Sequence, residues 1–507
     1  MLSRVKTIAF NGLEIIDVEL QVQISSGMPS FTIVGLPDKT VAESRERIRA
    51  AFFSTGIKLP PSRITVNLAP ADILKEGSHY DLPLALGIMC GMNLIPQSKL
   101  SNYIVLGEVG LDGIVNRVNG VLPAAVKAAK EKIGLICPRS QGEEAAWSGA
   151  DNIVPASSLE ELINFFKGAI QIAPPQASTY GESGNKLDMH DVKGQESAKR
   201  ALEIAAAGGH NLIMVGPPGS GKSMLAERLP GILPPMNRQE AIETSMIASI
   251  AGELTGKGLS FERPFRSPHH SASTPALVGG GRPAHPGEIS LANNGVLFLD
   301  ELPEFARATL ESLRQPLETG KINISRVNSH VEYPAKIQLV AAMNPCRCGY
   351  LGNPARECSR APRCAEEYQS KISGPLLDRI DIQIEVPAVN PSEMAALPDG
   401  EYSADIRGRV VAARKIQRDR FQKFGRTDLY TNSELNADML DEAAVMENDA
   451  KELLINYANR VKLSARGYNR TLKLARTIAD LQNEIKLHRI HVAEALSLRW
   501  KVPDFKN

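Results

Sequence analysis

Long apolar runs are missing from the sequence. None of its 507 residues lies in an uninterrupted apolar stretch approaching 18 residues, the length that a membrane-spanning helix requires. The first residues, MLSRVKTIAFNGLEIID, carry acids and a glycine where a signal peptide needs an apolar segment. We therefore expect a cytoplasmic protein without a membrane partner.

Charge of one sign is also missing. Lys and Arg number 58 and Asp and Glu number 57, so the formal net charge is +1 at pH 7. A protein that coats nucleic acid through its overall field needs a strong positive balance. Any binding to nucleic acid must therefore use local patches, and the overall charge leaves the partners open.

Cysteine is scarce but clustered. The chain has six cysteines, far below the density of a secreted disulfide scaffold. Four of them lie within nineteen positions in the stretch NPCRCGYLGNPARECSRAPRC: Cys346, Cys348, Cys358 and Cys364. Four thiolates can close a tetrahedron around Zn²⁺ and leave no open coordination position, which favours a structural zinc-binding insertion at 346–364. A redox switch and unligated thiols are the alternatives.

The chain divides into segments of different pattern. Residues 1–170 alternate strand-like and helix-like stretches and predict an α/β domain, followed by a linker at 171–187 that is rich in Pro, Gly and Ser. Residues 188–390 alternate again, and the apolar runs NLIMVG, GVLFLDE and IQLVAAMN predict a mostly parallel sheet covered by helices. Residues 391–507 have a helical pattern almost throughout. The predicted fold class is therefore α/β and multidomain, with a helical C-terminal domain.

A phosphate-binding loop lies in the second α/β segment. The stretch HNLIMVGPPGSGKSMLAERL contains G-x-x-x-x-G-K-S between an apolar strand and an amphipathic helix, the context that this motif needs. The backbone N–H groups of such a loop cradle the triphosphate of ATP or GTP at a helix N-terminus. We expect Lys222 to reach the β- and γ-phosphates and Ser223 to ligate Mg²⁺. The predicted nucleotide-binding residues of the loop are Gly216, Pro217, Pro218, Gly219, Ser220, Gly221, Lys222 and Ser223.

Polar residues follow two further strands. GVLFLDEL ends in Asp300, a candidate Mg²⁺ ligand, and Glu301, a candidate base for the attacking water. IQLVAAMN ends in Asn344, which could position the same water. Downstream, GPLLDRID contains Arg379, a candidate arginine finger for the site of a neighbouring subunit. A structural arginine paired with an adjacent aspartate is the alternative.

Four stretches together carry a family resemblance. DVKGQESAKRALEIAAAGGHNLIMVGPPGSGKS, PFRSPHHSASTPALVGGG, GVLFLDELPEF and AAMNPCRCG resemble the AAA+ ATPase core of the YifB/ComM family, the magnesium-chelatase-like proteins. The resemblance covers essentially the whole chain and implies that Gly194 and Gln195 lie near the adenine of ATP. It also implies that Asn344 is the sensor-1 residue. LSARGYNRTLKLARTIADL resembles the sensor-2 helix of the family, where we favour Arg470 over Arg466 for contact with the γ-phosphate; a core arginine is the structural alternative.

The resemblance also implies an assembly and a function. AAA+ sites form between subunits, so we expect a homo-hexameric ring, and the family implies ATP-driven branch migration of DNA during natural transformation, with recombination proteins as further partners. In related ring motors a β-hairpin projects into the central pore, and RQPLETGKINISRVNSHVEYPAKIQL predicts such a hairpin. Its cations Lys321, Arg326 and Lys336 are candidate DNA contacts. A solvated hairpin is the alternative.

A second basic tract occupies residues 405–426. On a helix, Arg407, Arg414 and Arg418 share one face. That face either touches DNA or is the solvated side of a lid helix.

The N-terminal segment raises a rival function. KEGSHYDLPLALGI and GEVGLDGIVNRVNGVLPAAVKAA resemble the Lon protease fold, whose chemistry needs a nucleophilic Ser beside a Lys base. The resemblance places Tyr80 at the serine and Leu122 at the lysine, so we expect a proteolytically inactive Lon-like scaffold in which Asp81 is a structural hydrogen-bonding group. A protein remodeller and the ATPase partner of a magnesium-inserting chelatase remain alternatives, although we expect a chelatase subunit to lack this N-terminal half.

Overall fold

The computed structural model describes residues 2–178, 187–254, 258–281, 284–326, 329–351, 359–388 and 398–499. Its strands are β1 Leu2–Asn11, β2 Glu14–Ser25, β3 Ser30–Val34, β4 Arg63–Ala69, β5 Tyr103–Val105, β6 Glu108–Val109, β7 Val115–Asn116, β8 Gly134–Pro138, β9 Ile153–Ala156, β10 Leu212–Val215, β11 Phe265–Arg266, β12 Gly279–Gly280, β13 His285–Pro286, β14 Val296–Leu299, β15 Lys321–Arg326, β16 Ser329–Pro334, β17 Gln338–Met343 and β18 Ile382–Glu385.

The α-helices in the described residues are α1 Lys39–Ser54, α2 Asp81–Gly91, α3 Gln97–Leu100, α4 Val121–Glu131, α5 Gly142–Ala146, α6 Leu159–Lys167, α7 Glu196–Gly208, α8 Lys222–Ile232, α9 Arg238–Ala251, α10 Thr274–Val278, α11 Glu288–Leu291, α12 Arg307–Ser312, α13 Arg314–Thr319, α14 Arg363–Gln369, α15 Gly374–Leu377, α16 Ser403–Lys423, α17 Ala437–Ala443, α18 Asn448–Val461, α19 Ala465–Leu481 and α20 Arg489–Ser497. Among the described residues, no helix has both the length and the apolar character needed to cross a membrane.

A seven-stranded mixed sheet organises the N-terminal segment, in the order β3-β4-β2-β1-β5-β8-β9. β1 pairs antiparallel with β2, whereas the pairs β1–β5, β5–β8 and β8–β9 are parallel. Along the first half of β1 exposed and buried side chains alternate, as expected for a strand with one face on the core. The buried face meets α2, which is apolar after its first residue, Asp81, and buried along its whole length.

A five-stranded parallel sheet organises the second segment, in the order β11-β14-β17-β10-β18. The chain leaves β10 towards β11 and returns to the other side of β10 as β18, so the strand order reverses at β10. Ligands of open parallel sheets bind beyond the carboxyl ends of the strands at such a reversal. The register aligns Val215 with Met343 and Leu299 with Ala341, which brings the residues after β10, β14 and β17 to one edge of the sheet.

The C-terminal helices α16 to α20 cover one face of the parallel sheet and confirm the predicted helical C-terminus. α16 and α19 pack on α7, and their apolar residues join those of β10 and β17 in one hydrophobic core. Of the face that the sequence left open between DNA contact and solvent, Arg418 is exposed, whereas Arg407 and Arg414 are only partly exposed. Arg414 donates from Nε and Nη2 to Ala206 O, at 3.0 and 2.7 Å, so this arginine caps the C-terminal end of α7 from within the protein.

The N-terminal sheet unit packs on the parallel-sheet unit through α4 and α9. α9 begins with a capping box between Asn237 and Glu240. Ser249 Oγ on α9 donates to Glu144 Oε1 at 2.5 Å, and the carbonyl oxygen of Ser249 accepts from Gly120 N at 3.1 Å. Leu122 is fully buried in an apolar cluster at this interface. The domain boundaries and the Lon-like character of the N-terminal unit stay predictions.

Candidate nucleotide-binding site

The phosphate-binding loop follows β10 directly and ends where α8 begins. A Cβ atom on Gly216 would lie 2.1 Å from Val386 O, so only glycine fits at this position. Gly216 N donates to Met343 O at 3.2 Å, which ties the loop to β17. The loop therefore lies at the strand-order reversal, with the N-terminus of α8 facing the same edge of the sheet.

Lys222 lies inside the loop rather than in solvent. Its Nζ atom donates to Gly216 O at 2.8 Å and to Pro217 O at 2.9 Å, and only 7% of the residue is exposed. Burial lowers the pKa of Lys222, while the charges of Asp300 and Glu301 oppose this shift. The ammonium group is thus held where a phosphate bound to the loop would meet it.

Ser223 and Asp300 form a direct contact between the loop and β14. Ser223 Oγ donates to Asp300 Oδ2 at 2.7 Å, and the second oxygen, Oδ1, accepts from Glu301 N at 2.8 Å. Hydroxyl and carboxylate oxygens are the hard ligands that Mg²⁺ prefers. The pair therefore fits the predicted Mg²⁺ site.

Glu301 has a neighbour, His270, to which the sequence alone assigned no role. His270, which follows β11, places Nδ1 3.4 Å from Glu301 Oε2, and its ring packs on His269 at a centroid distance of 4.1 Å. The backbone of Glu301 has φ of +50°, a left-handed conformation that is uncommon outside glycine. Adjacency of β11 and β14 in the sheet could have suggested this contact, but only once the strand order is known.

Asn344 and Gln195 complete the surroundings of the loop. Asn344 Oδ1 lies 3.4 Å from Lys222 Nζ, so the residue after β17 lies beside the loop, and its sensor-1 role stays a prediction. Gln195 Nε2 donates to Pro387 O at 2.7 Å and to Ser220 O at 3.3 Å. Gly194 and Gln195, both with positive φ, therefore lie beside the loop, between it and the end of β18.

Arg379 and Arg470 lie at the amino-terminal ends of the strands, opposite the ends that carry the phosphate-binding loop. Arg379 O accepts from Asn211 Nδ2 at 3.0 Å, and Asn211 immediately precedes β10. Arg470 Nε lies 3.5 Å from Asp381, immediately before β18. At about 3.3 Å per strand residue, these ends are roughly 15 Å from the loop after β10. The structure therefore does not bring these arginines to the chain's own phosphate-binding loop.

A cavity of about 670 Å³ joins these arginines with the C-terminal helices. Its charged lining includes Arg379, Asp381, Arg414, Arg466, Arg470 and Lys473. Arg379 pairs with Glu318 and not with the adjacent aspartates considered from the sequence. Although burial raises the pKa of Asp381, the hydrogen bond from His210 and the charge of Arg470 hold it below its usual value.

Three of the four clustered cysteines converge. The Sγ atoms of Cys346, Cys348 and Cys364 lie within 4.8 Å of one another, and the first two are 3.1 Å apart. Cys358, the predicted fourth ligand, lies outside the described residues. Burial raises the pKa of the Cys346 thiol. A thiol that ligates a metal ion releases its proton. The donor set suits a thiophilic cation such as Zn²⁺.

The predicted hairpin is formed by β15 and β16, which pair antiparallel from Lys321 with Pro334 to Arg326 with Ser329. Lys321 forms a 2.7 Å ion pair with Glu332, and Lys336 is exposed. The side chain of Arg326 and the hairpin tip at 327–328 lie outside the description. Tyr333 is buried and donates to Ala284 O at 2.7 Å.

The positions compared with a protease active site are packed and apolar. Tyr80 and Leu122 are both fully buried. Asp81 accepts from Arg47 Nη2 and Nε at 2.8 and 2.7 Å and from Val109 N at 3.3 Å, which confirms its expected structural hydrogen-bonding role.

Three family models match the chain. Residues 188–394 match Magnesium chelatase, subunit ChlI; residues 20–141 match Subunit ChlI of Mg-chelatase; and residues 400–499 match Magnesium chelatase, subunit ChlI C-terminal. The second match undercuts the expectation that a chelatase subunit lacks this N-terminal half, because residues 20–141 match a model that carries the name of such a subunit. The N-terminal half alone therefore does not separate the chain from chelatase subunits.

Several curated relatives resemble the chain along nearly its full length, and a chelatase subunit resembles it along less than half of that length. Competence protein ComM of Haemophilus influenzae is 45% identical over 493 residues, covering 96% of this chain and 95% of that protein. The uncharacterized protein YifB of Escherichia coli is 40% identical over 499 residues, covering 98% and 97%. The magnesium-chelatase 67 kDa subunit of Heliobacterium mobile is 25% identical over 263 residues, covering 46% of this chain and 38% of that protein.

Proposed function

The chain belongs to the YifB/ComM family of magnesium-chelatase-like AAA+ ATPases, and on this premise we propose that it is a ring-forming, ATP-driven DNA motor. It acts in the cytoplasm as a helicase or branch-migration enzyme and promotes the integration of incoming DNA by homologous recombination in natural transformation. The observation that carries the ATPase part is the meeting of Lys222, Ser223, Asp300 and Asn344 at one edge of the parallel sheet.

Hydrolysis follows from the positions of these groups. The loop amides and Lys222 bind the β- and γ-phosphates. Ser223 and Asp300 would hold Mg²⁺, which would supply positive charge to the phosphate oxygens. Glu301 accepts a proton from the attacking water while Asn344 positions that water. Gly194 and Gln195, beside the loop, lie near the adenine of the bound ATP.

The arginines act between subunits. Arg379 and Arg470 lie at the amino-terminal end of β10, and the phosphate-binding loop lies at its other end, roughly 15 Å along the strand. Each arginine therefore meets a triphosphate only when a neighbouring copy presents it. A closed ring supplies that neighbour at every interface, and we propose a hexamer. In such a ring Arg379 exchanges its pairing with Glu318 for the γ-phosphate of the next subunit. Arg466 lines the same cavity and is the second candidate for the sensor-2 role.

The DNA contacts are assigned to the hairpin of β15 and β16. Each subunit supplies three cations at the hairpin, Lys321, Arg326 and Lys336. Six subunits would place these cations around a central pore, where they bind the phosphate backbone of DNA. A protein remodeller needs an exposed aromatic residue in its pore loop, whereas Tyr333 is buried against Ala284. The relative named for competence, with 95% of its length matched, supports DNA as the substrate.

The cysteine cluster is proposed as a structural zinc site. Lys222, Ser223, Asp300 and Glu301 already account for hydrolysis, so no catalytic role is left for a second metal. Zinc binding can contribute roughly 10 to 16 kcal/mol to the folding of such a segment.

A chelatase-like ATPase is the second candidate, because all three family models carry that name. A protein remodeller and an ATP-dependent protease rank below it. The test is ATPase activity with and without forked or single-stranded DNA. Stimulation by DNA supports the motor, whereas stimulation by a protein substrate and not by DNA excludes it.

A further inference from the structure

The cysteine cluster touches the phosphate-binding loop. Gly349 follows Cys348 directly, and a Cβ atom at Gly349 would lie 2.6 Å from Cδ and 2.7 Å from Cγ of Pro218. Gly349 has φ of +83°, and its amide donates to Cys346 O at 3.0 Å. The turn that contains Cys346 and Cys348 therefore ends in a glycine that packs against Pro218 of the loop, with no room there for a methyl group.

A second connection runs through the backbone before the cluster. Cys346 lies two residues after Asn344, whose Oδ1 is 3.4 Å from Lys222 Nζ. Pro345, between them, accepts a 2.7 Å hydrogen bond from Gln369 Nε2 on α14. Pro345 and Cys346, which follow Asn344, are therefore held by α14 and by the cysteine cluster, and the position of Asn344 depends on them.

A third connection runs through α14, which carries Cys364. Tyr368 lies one turn further along this helix and is 4% exposed. Burial raises the pKa of Tyr368, and the charges of Glu304, Glu301 and Asp300 raise it further, so the ring lies on the acidic side of the site. Lys371 pairs with Glu304 at 3.6 Å just beyond the helix.

We propose that metal binding at Cys346, Cys348 and Cys364 controls nucleotide affinity, because the metal fixes the turn and the helix that pack against Pro218 and Asn344. The occupant is a thiophilic d¹⁰ dication of the Zn²⁺ class. This inference rests on the proposed nucleotide site but not on DNA as the substrate. Coupling between two bound ligands is reciprocal, so nucleotide must strengthen metal binding by the same factor by which metal strengthens nucleotide binding.

The experiment measures both sides of this coupling on the full chain. The protein is stripped of metal with a thiol-compatible chelator, returned to Mg²⁺ buffer, and titrated with a fluorescent ATP analogue, with and without one equivalent of Zn²⁺. In parallel, Zn²⁺ affinity is measured by competition with a chromophoric chelator, with and without the analogue. We expect Zn²⁺ to lower the nucleotide Kd by about 5- to 150-fold, and nucleotide to lower the Zn²⁺ Kd by the same factor.

A pair of glycine variants tests the route of the coupling. Gly349→Ala keeps all the cysteines but places a methyl group against Pro218, so it should bind Zn²⁺ while the coupling factor falls towards one. Gly149→Ala is the matched control, because Gly149 has a similar φ of +77° and nothing within 4 Å of a Cβ atom. It should keep the full factor.

The outcomes separate the inference from the proposed function. A coupling factor within about twofold of one in the wild-type protein, or no Zn²⁺ bound at all, overturns the inference. An unchanged factor in Gly349→Ala also overturns it. Full coupling without any DNA-stimulated hydrolysis leaves the inference standing and contradicts the DNA motor.

Discussion

Ser223 Oγ donates a 2.7 Å hydrogen bond to Asp300 Oδ2, although 77 positions separate the two residues. This contact joins the N-terminus of α8 to the end of β14, across the intervening β17. It prearranges a hydroxyl and a carboxylate as adjacent oxygen ligands, so little reorganisation is needed when Mg²⁺ arrives with a nucleotide. The ATPase chemistry proposed for the chain depends on this arrangement and on Lys222 beside it.

Replacement of Lys222 should remove nucleotide turnover. Lys222→Ala deletes the cation that meets the β- and γ-phosphates and also the bonds to Gly216 O and Pro217 O that shape the loop. We expect the ATPase rate to fall by about a hundredfold or more. Steady-state phosphate release measures it, with Lys39→Ala as control because that side chain is 91% exposed. Turnover within a few-fold of wild type in Lys222→Ala would refute the assigned site.

His270 should act by positioning Glu301. His270→Ala removes the ring 3.4 Å from the Glu301 carboxylate while leaving the phosphate-binding loop untouched. We expect kcat to fall by about tenfold and the nucleotide Kd to stay unchanged. A positioned general base contributes roughly a hundred- to ten-thousand-fold to the rate, and the loss of its positioning residue should remove only part of that. Single-turnover hydrolysis and nucleotide titration separate the two quantities. An equal loss in nucleotide affinity would indicate local misfolding and not a positioning role. His269→Ala is the control, because it removes the neighbouring ring and leaves the contact between His270 and Glu301 in place.

Arg379 should complete the active site of a neighbouring subunit. Lys222→Ala and Arg379→Ala subunits are each expected to be inactive alone. In rings mixed from equal amounts of the two variants, an interface is intact where the loop of an Arg379→Ala subunit meets the arginine of a Lys222→Ala subunit. With random mixing this holds for about a quarter of all interfaces. ATPase activity should therefore reappear on mixing. Mixtures as inactive as the separate variants would show that Arg379 serves no neighbour, and Arg470→Ala can be tested in the same way.

The hairpin lysines should set the salt dependence of DNA binding. In the double variant Lys321→Ala/Lys336→Ala we expect weaker binding to single-stranded DNA. The slope of log affinity against log salt should fall by about 0.7 for each phosphate that the variant no longer neutralises. Fluorescence anisotropy at several salt concentrations measures this slope. Lys451→Ala/Lys486→Ala, exposed in the C-terminal helical segment and outside the basic tract 405–426, removes the same charge elsewhere and should leave the slope unchanged.

Sequence patterns predicted the strands that carry the site better than the packing around them. Apolar runs ending in Gly216, Asp300 and Asn344 imply parallel strands whose polar ends meet, because buried parallel strands have this pattern. The contact of Gly349 with Pro218 and the distance of Arg470 from the loop depend on how distant segments pack, which no local period encodes. The partial burial of Arg414 has the same origin: its helical face is basic in sequence, but its guanidinium group bonds to the C-terminal end of α7.

Strand displacement on a forked or three-stranded DNA substrate is the decisive measurement for the proposed motor. We predict that the wild-type protein displaces a labelled strand in the presence of ATP and Mg²⁺, and that Lys222→Ala and Glu301→Gln do not, although Glu301→Gln still binds ATP and DNA. Wild-type protein that hydrolyses ATP and displaces no strand, while it degrades or unfolds a protein substrate, would contradict the proposed DNA motor.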